Sequence, residues 1–305
     1  MEAEKEGYHE PVLLEEVITA LAIKANGLYV DCTYGGGGHA RRILSQLDDG
    51  GRLVAFDQDA DAQANLAPDP RLIFVPQNFR HLQRFLRLHK TGPADGVLAD
   101  LGVSSFQLNQ ADRGFSTRFE AALDMRMDRR QERTACDIIQ TYPPEKLHRL
   151  FEQYGEVTNA KTLANTIATV RKKTSLKSVS NFKTALYGIV KGNPHKYFAQ
   201  VFQALRIEVN DELGALRELL QQLPAVLKPG GRAAIITFHS LEDRMVKNFF
   251  KTGGGEPEES NPFEQRMAEK PVLEPLFKKP VVPGEEEQKR NPRSGSAKLR
   301  VAVKV

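Results

Sequence analysis

Cysteine and long apolar runs are scarce in this sequence. Its 305 residues include two cysteines, Cys32 and Cys136, which form no metal-binding or disulfide pattern, so we expect a reducing compartment and no metal. No stretch approaches the roughly 18 apolar residues of a membrane span. The first eleven residues are charged and lack the apolar core of a signal peptide. We therefore expect a cytoplasmic protein without a membrane contact.

Carboxylates are missing from one long stretch. Residues 157–206 contain nine Lys/Arg and no Asp or Glu, and the wider segment 109–206 contains 17 basic residues against nine acidic ones. A field of this sign is typical of a polyanion partner, although a basic face that meets only solvent has the same composition. We favour contact with nucleic acid.

The pattern of apolar residues predicts the fold class. Composition is ordinary for a globular protein, with 40% hydrophobic and 27% charged residues, and the length allows one large domain or two. Strand patterns at 28–32, 53–57, 72–75, 96–100, 232–238 and 298–305 are accompanied by helical patterns at 40–47, 60–66, 79–89 and 212–227. This alternation predicts an α/β fold with a parallel sheet and helices on both faces.

The alternation stops within the basic segment, which has a helical pattern. The sequence therefore predicts an α/β domain in two parts, 1–108 and 207–305, interrupted by an inserted helical domain at 109–206. Glycine, proline and acidic residues predict loops at 253–261 and 282–289.

A glycine-rich loop marks a ligand site. An apolar run ends at Asp31, glycines occupy 35–38, and a second apolar run ends at Asp57, twenty residues after Gly37. This layout is typical of a site for an adenosine-containing cofactor. Gly35, Gly37 and Ala40 also fit the G-x-G-x-x-A pattern of dinucleotide sites. A carboxylate at Asp31 repels phosphate but suits an ammonium or sulfonium, so we favour S-adenosylmethionine over a dinucleotide or a ligand-free turn.

Eight motifs, in the same order along the chain, resemble one bacterial family. They are HEPVLLEEV (9–17), DCTYGGGGH (31–39), DLGVSSFQL (100–108), RGFS (113–116), LDMRMD (123–128), FQALRIEVNDEL (202–213), FHSLEDRMVK (238–247) and NPRSGSAKLR (291–300). This is the family of ribosomal RNA small subunit methyltransferase H, also called MraW. The chain departs from the family pattern at Gln200 and Gly295, each in place of an arginine, and at Phe106, in place of a proline.

The resemblance implies a class I (Rossmann-like) methyltransferase fold with S-adenosylmethionine as cofactor, and it implies that the inserted helical domain at 109–206 is an RNA-recognition domain. It implies methylation of N4 of one cytidine in the decoding region (P site) of 16S rRNA, within the small ribosomal subunit. Two alternatives remain. One is a methyltransferase that acts on DNA cytosine or on another rRNA base, and the other is a non-catalytic ribosome-assembly protein that binds RNA. The sequence leaves open a monomer or a homodimer.

Nine residues are predicted to contact the cofactor. The residues themselves point to Asp31, Gly35, Gly37 and Asp57, and the resemblance adds the others. The set is Asp31, Gly35, Gly37, Gly38, His39, Asp57, Phe79, Asp100 and Gln107. Asp57 suits the ribose hydroxyls, because two acceptor oxygens match two vicinal donors. Phe79 is expected to pack on adenine rather than in the core. Asp31 can instead be a turn or cap residue, and His39 can cap the following helix.

Asp100 is the predicted catalytic residue, because it ends the fourth strand at the edge where ligands bind in open α/β sheets. The exocyclic amine of cytosine is a poor nucleophile, and an acceptor beside its N–H stabilises the charge that develops on nitrogen. A backbone carbonyl of the 101–104 loop is the alternative acceptor. The residues predicted to contact RNA are Asn109, Arg113, Arg126, Arg171, Lys172, Lys173 and His239. Two of these have structural alternatives: Arg126 can pair with Asp124 or Asp128, and His239 can cap a helix.

Overall fold

The computed structural model describes residues 11–253 and 271–305, and the chain forms two compact units. The first unit combines Met1–Gly102 with Leu213–Val305, and the second is Val103–Glu212. The second unit therefore interrupts the first along the chain. The boundaries that the sequence predicts, 109 and 206, lie inside the limits of this unit, and its role in RNA recognition stays a prediction.

A mixed sheet forms the centre of the first unit. In the described residues its seven strands are β1 (Leu28–Asp31), β2 (Arg52–Phe56), β3 (Leu72–Val75), β4 (Ala94–Asp100), β5 (Leu227–Thr237), β6 (Leu273–Pro275) and β7 (Lys298–Lys304). They lie in the order β3-β2-β1-β4-β5-β7-β6. Strands β1 to β5 are parallel, and β7 is antiparallel to both of its neighbours.

The described residues form twelve α-helices, which we number along the chain. Those of the first unit are α1 (Leu14–Leu21), α2 (Gly38–Leu44), α3 (Leu82–Leu88), α10 (Glu212–Val226), α11 (Ser240–Lys251) and α12 (Glu285–Arg290). Those of the second are α4 (Ser105–Asn109), α5 (Ala135–Thr141), α6 (Pro144–Gln153), α7 (Ala160–Val170), α8 (Val179–Leu186) and α9 (Pro194–Asn210). None of these helices combines the length and apolarity that crossing a bilayer requires.

Helices cover both faces of the sheet. Val30 and Val54 lie in one core cluster with Leu219 of α10. Tyr29, the neighbour of Val30 in β1, lies in a different cluster with Ile43 of α2. Neighbouring residues of a strand point to opposite faces, so each face has its own helical cover. Strands buried in this way contain continuous apolar runs, which is why the sequence pattern locates them and why the predicted fold class is confirmed.

The second unit has a separate helical core. Ile138, Phe151 and Leu163 are buried in it together with residues of α8 and α9. Two of its helices, α6 and α9, begin at Pro144 and Pro194. Proline suits this position because its missing N–H would have no partner in the first helical turn. Each of these prolines therefore starts a helix of the second unit.

Two local predictions differ from the structure. The sequence predicts a loop at 282–289, but α12 occupies most of this segment. Its first turn contains Glu285, Glu286 and Glu287 and its last turn contains basic residues, an order that stabilises the helix dipole. The predicted helix at 60–66 is a 3-10 turn, Ala60–Asn65. The loop predicted at 253–261 lies, apart from its first residue, outside the described residues.

Asp95 joins three strands at the amino-terminal edge of the sheet. Its carboxylate accepts hydrogen bonds from the Leu28 amide at 3.0 Å, from Lys24 Nζ at 3.1 Å and from Lys228 Nζ at 2.5 Å. Burial alone would raise the pKa of Asp95, but Lys228, the Leu28 amide and Lys24 together hold that pKa below its ordinary value. The charged form of Asp95 is therefore part of the folded state.

We expect Asp95→Asn to lower the free energy of unfolding by about 2–4 kcal/mol, because two ammonium groups lose their charged partner at a buried site. Since the pKa of Asp95 is lowered in the fold, this stabilisation is present at neutral pH and is lost as the pH falls through that pKa. Urea denaturation measures it. Glu15→Gln, which breaks an exposed pair with Arg42, should change stability much less, because solvent screens that pair. Equal effects of the two changes would contradict this role for Asp95.

Candidate active site

Three acidic residues meet at the carboxyl edge of the sheet. Asp31 ends β1 and Asp100 ends the neighbouring β4, while Asp57 follows β2 on the other side of β1. Thr33, which the sequence analysis did not single out, links the first two. Its amide donates to Oδ1 of Asp31 at 3.0 Å, and its hydroxyl accepts from the Asp100 amide at 2.7 Å. Asp31 therefore accepts a hydrogen bond within a turn, which is the alternative role that the sequence allows for it. It does so at the edge of the sheet where the ligand is predicted to bind.

Asp57 orders the glycine loop. Its Oδ2 accepts from the Gly35 amide at 2.7 Å and its Oδ1 accepts from the Asp59 amide at 2.8 Å. Gly35 and Gly37 have φ values of +50° and +73°, a region that strongly favours glycine. The acid predicted to bind ribose thus lies directly beside the loop predicted to bind the cofactor.

Two of the glycines are also required by packing inside the protein. A Cβ atom on Gly37 would lie 2.6 Å from the Tyr34 hydroxyl oxygen, and one on Gly38 would collide with the ring of Pro11. The Tyr34 hydroxyl donates to the Asn65 carbonyl at 2.9 Å, which fixes the ring under the loop. The loop is therefore held in shape by contacts that the sequence motif alone does not reveal.

His39 is a neutral, buried residue at the start of α2. Burial lowers its pKa to about 4. Its Nε2–H donates to the Val12 carbonyl at 3.0 Å, which leaves Nδ1 with a lone pair, 3.8 Å from Oδ2 of Asp100. This separation is too long for a hydrogen bond. His39 therefore joins the segment before α1 to the cofactor loop and contributes no positive charge to Asp100 at neutral pH.

Asp31 and Asp100 share a buried, acidic environment. Burial and the charge of Asp57 raise the pKa of Asp31 to about 7, and burial with the charges of Asp31 and Glu242 raises the pKa of Asp100 to about 8. Oδ1 of Asp100 is buried and, in the described residues, accepts no hydrogen bond. Neither Asp31 nor Asp100 pairs with a described lysine or arginine. Such a site fits a cationic ligand with an N–H donor and disfavours a phosphate.

Phe79 begins a 3-10 turn after β3 and packs, half-buried, against the core on the α10 side of the sheet. The preceding Asn78 donates from Nδ2 to Oε1 of Gln58 at 2.8 Å. This bond brings the loop after β3 to the loop after β2, where Asp57 lies. Contact of Phe79 with adenine stays a prediction that this position supports.

His239 follows β5 and caps α11. Its Nδ1 accepts from the Glu242 amide at 3.4 Å, and its Nε2 lies 3.1 Å from Oε1 of Glu242. His239 thus caps the helix, which is the alternative role that the sequence allows for it. Its predicted contact with RNA stays a prediction. Glu242 contributes to the electrostatics of the edge, since its charge raises the pKa of Asp100.

The other predicted site residues lie in the second unit. Gln107 belongs to α4, where its side chain and that of Ser104 form a reciprocal cap with distances of 3.0 and 3.1 Å. Asn109, the last residue of α4, is exposed. The contact of Gln107 with the cofactor and the contact of Asn109 with RNA stay predictions.

The predicted RNA-binding arginines are engaged within the second unit itself. Arg113 is 2% exposed and donates to the carbonyls of residues 126 and 127. Arg126 forms two hydrogen bonds of 2.7 Å with Asp124, the first of its two alternative partners. Arg171 donates to the carbonyls of residues 139 and 142. Lys172 and Lys173, in contrast, are exposed and are the better placed for a phosphate contact.

Comparisons with known proteins identify the family of this chain. The sequence model of the MraW methylase family matches residues 6–305. The chain belongs to the MraW methylase family. Ribosomal RNA small subunit methyltransferase H of Bacteroides fragilis (strain YCH46) is 48% identical over 305 residues, which cover 100% of both chains. The protein of that name from Amoebophilus asiaticus (strain 5a2) is 51% identical over 303 residues, 98% of this chain and 96% of the relative.

Among solved structures, an rRNA methylase from Streptococcus thermophilus is a distant neighbour of this MraW-family chain. It shares 11% identity at a TM-score of 0.42, with 95% of this chain and 94% of the other covered. Membership in the MraW methylase family confirms the predicted class I methyltransferase fold and S-adenosylmethionine as the cofactor. The individual site residues stay predictions, which the geometry described above supports to different degrees.

Proposed function

We propose that this protein methylates N4 of a cytidine in the decoding region (P site) of 16S rRNA, within the small ribosomal subunit in the cytoplasm, with S-adenosylmethionine as the methyl donor. The observation that carries the proposal is the acidic carboxyl edge, where Asp31 and Asp100 lie unneutralised beside a glycine loop. It supports a cationic cofactor and an amine substrate. The relatives named ribosomal RNA small subunit methyltransferase H support the RNA.

When bound, S-adenosylmethionine supplies a methyl group made electrophilic by the positive charge on its sulfur. Asp31 and the loop at 35–38 would hold the methionine part, Asp57 would hold the ribose, and Phe79 would cover the adenine. Two carboxylates beside a cationic group also exclude the anionic competitors that a glycine loop otherwise attracts. The cofactor residues therefore select by charge as well as by shape.

Asp100 would act on the amine. Its buried Oδ1, which has no hydrogen-bond partner in the described residues, is available to accept an N4–H bond and to stabilise the charge that grows on N4. The amine loses one proton after it gains the methyl group. A carboxylate whose pKa lies near 8 is able to take that proton at neutral pH. A backbone carbonyl of the 101–104 loop is the alternative acceptor.

The test is to incubate the protein with labelled S-adenosylmethionine and small subunits from a strain that lacks the enzyme, then to digest the RNA and identify the nucleoside. We expect N4-methylcytidine at one position in the decoding region. Naked 16S rRNA and a short single strand with the same cytidine serve as comparisons, and we expect both to react more slowly. Methylation at cytosine C5, another base or DNA would overturn the proposal, and binding without turnover would favour an assembly protein.

We expect Lys172→Gln with Lys173→Gln to weaken binding of the small subunit by about 3- to 10-fold at low salt and to reduce its salt dependence, because each lysine that neutralises a phosphate releases counterions. Fluorescence anisotropy across a salt series measures this. Binding of S-adenosylmethionine should not change. Lys278→Gln with Lys279→Gln, at exposed sites of the first unit, removes equal charge as a control. If both double variants behave alike, the acid-free stretch at 157–206 is only a solvated surface.

A further inference from the structure

A second stretch without acidic residues lies in the first unit. From Arg71 to Ala94 the chain contains five Lys/Arg, two His and no Asp or Glu. Two of these basic side chains are used inside the unit, since Arg71 pairs with Asp69 at 2.6 Å and Arg80 pairs with Glu218 at 3.0 Å. The other three are Arg84, Arg87 and Lys90. They follow one another along α3 and the turn that ends it.

These three side chains form one exposed basic face, which we call the α3 basic face. Leu82 and Leu86 point into the core, so the helix is anchored by its opposite side. Arg84, Arg87 and Lys90 are exposed, and none of them forms an ion pair within the part of the chain that the structure describes. Arg84 and Arg87 lie three residues apart in α3, so their Cα atoms are separated by about 4.5 Å along the helix axis, and Lys90 follows in the turn that ends the helix. The result is a row of unneutralised cations.

Lys90 occupies a backbone position that favours glycine. Its φ is +54°, and it closes α3 with two bonds: its own amide donates to the Arg87 carbonyl at 3.1 Å, and the Thr91 amide donates to the Leu86 carbonyl at 3.2 Å. This is a Schellman turn, whose left-handed residue is usually glycine. Any other residue costs about 1 kcal/mol there. Lysine at this position therefore costs backbone strain, and it places a further positive charge next to Arg84 and Arg87 at the end of α3.

We propose that the α3 basic face binds the phosphate backbone of the structured RNA substrate, as a contact of the first unit that is independent of the second. The inference rests on the proposed function for the identity of the RNA. A linear array of cations complements the regular negative charge of a nucleic acid backbone, and arginine matches phosphate geometry with two parallel hydrogen bonds. The face includes none of the residues of the candidate active site, so we expect it to affect affinity for the folded substrate and not methyl transfer.

The main experiment compares two triple variants of the full-length protein that remove equal charge. R84Q/R87Q/K90Q changes the α3 basic face, and K278Q/K279Q/K289Q removes three exposed lysines elsewhere in the first unit. For the first variant we expect the small-subunit KM to rise about tenfold and the slope of log affinity against log salt to fall by about 2–3, since up to three phosphates are no longer neutralised. Its kcat, its affinity for S-adenosylmethionine and its rate on a short oligonucleotide should match the wild type. Equal behaviour of the two variants would overturn the proposal.

Lys90→Gly separates function from folding. Because glycine relieves the left-handed backbone, Tm should stay the same or rise, while affinity for the small subunit should fall about threefold. If the variant is more stable but binds the small subunit with unchanged affinity, Lys90 does not contact the RNA, which contradicts the proposal for this residue. Measuring the binding of the small subunit directly distinguishes a failure of this contact from a failure of the proposed function. If the wild type binds the small subunit through α3 but methylates no RNA, the proposed function is wrong and the contact is correct.

Discussion

We expect Asp100→Asn to lower the single-turnover rate of methyl transfer by about 100-fold or more at saturating cofactor. Asparagine keeps the shape of the side chain and one acceptor oxygen but removes the charge. The change therefore tests whether charge, rather than position, stabilises the developing positive charge on N4. It also removes the group whose raised pKa, about 8, lets it take up the proton that N4 loses.

Three measurements keep this result interpretable. Affinity for S-adenosylmethionine, from calorimetry, separates a loss of cofactor from a loss of chemistry. Asp49→Asn, at an exposed turn of the same unit, should leave the rate unchanged. The Tm of both variants reports folding. A wild-type rate for a folded, cofactor-saturated Asp100→Asn protein would transfer the acceptor role to a backbone carbonyl of the 101–104 loop.

We expect the affinity for S-adenosylmethionine to rise about tenfold or more between pH 6 and pH 8.5. In the free protein the pKa values of Asp31 and Asp100 are raised to about 7 and about 8, so both groups are largely protonated at pH 6. A cationic ligand favours their ionised forms, and binding must then release protons. The neighbouring groups that raise these values are Asp57 and Glu242, while neutral His39 adds no charge.

The same ionisations affect the stability of the free protein in the opposite sense. A carboxyl whose pKa is higher in the folded state than in the unfolded chain stabilises the fold while it is protonated. That contribution is present below about pH 4, the unfolded value, and is lost as the pH rises through 7 and 8. Over this range, therefore, the free protein should become less stable while its affinity for the cofactor increases.

Calorimetry in two buffers with different ionisation enthalpies counts the released protons, and thermal shift measurements follow stability across the same pH range. S-adenosylhomocysteine is the matched ligand, because it lacks the sulfonium charge and should show a weaker pH dependence. Asp31→Asn should remove the component of the pH dependence near pH 7. Affinity that is constant from pH 6 to 8.5, with no proton release, would show that both carboxyls are already ionised in the free protein.

The sequence by itself determined which residues stand at the ends of the central strands. Buried parallel strands require continuous apolar runs, so the positions of Asp31, Asp57 and Asp100 followed from where those runs stop, and parallel strands bring such ends to one edge. The glycine loop and the spacing to Asp57 identified the kind of cofactor for the same reason. These features depend on neighbours along the chain, which the sequence displays directly.

Only the tertiary structure decided the partners of the individual side chains. Nothing local to Arg113 or Arg171 indicates that each donates to carbonyls of its own unit, so the sequence predicted RNA contacts for both. Gly38 is glycine because Pro11, far away in sequence, packs against it. The raised pKa of Asp100 arises from burial beside Asp31 and Glu242, and Lys90 shows its left-handed backbone only once α3 has ended. Contacts between distant residues and the dielectric surroundings that they create are properties of the folded chain, and no pattern of neighbouring residues encodes them.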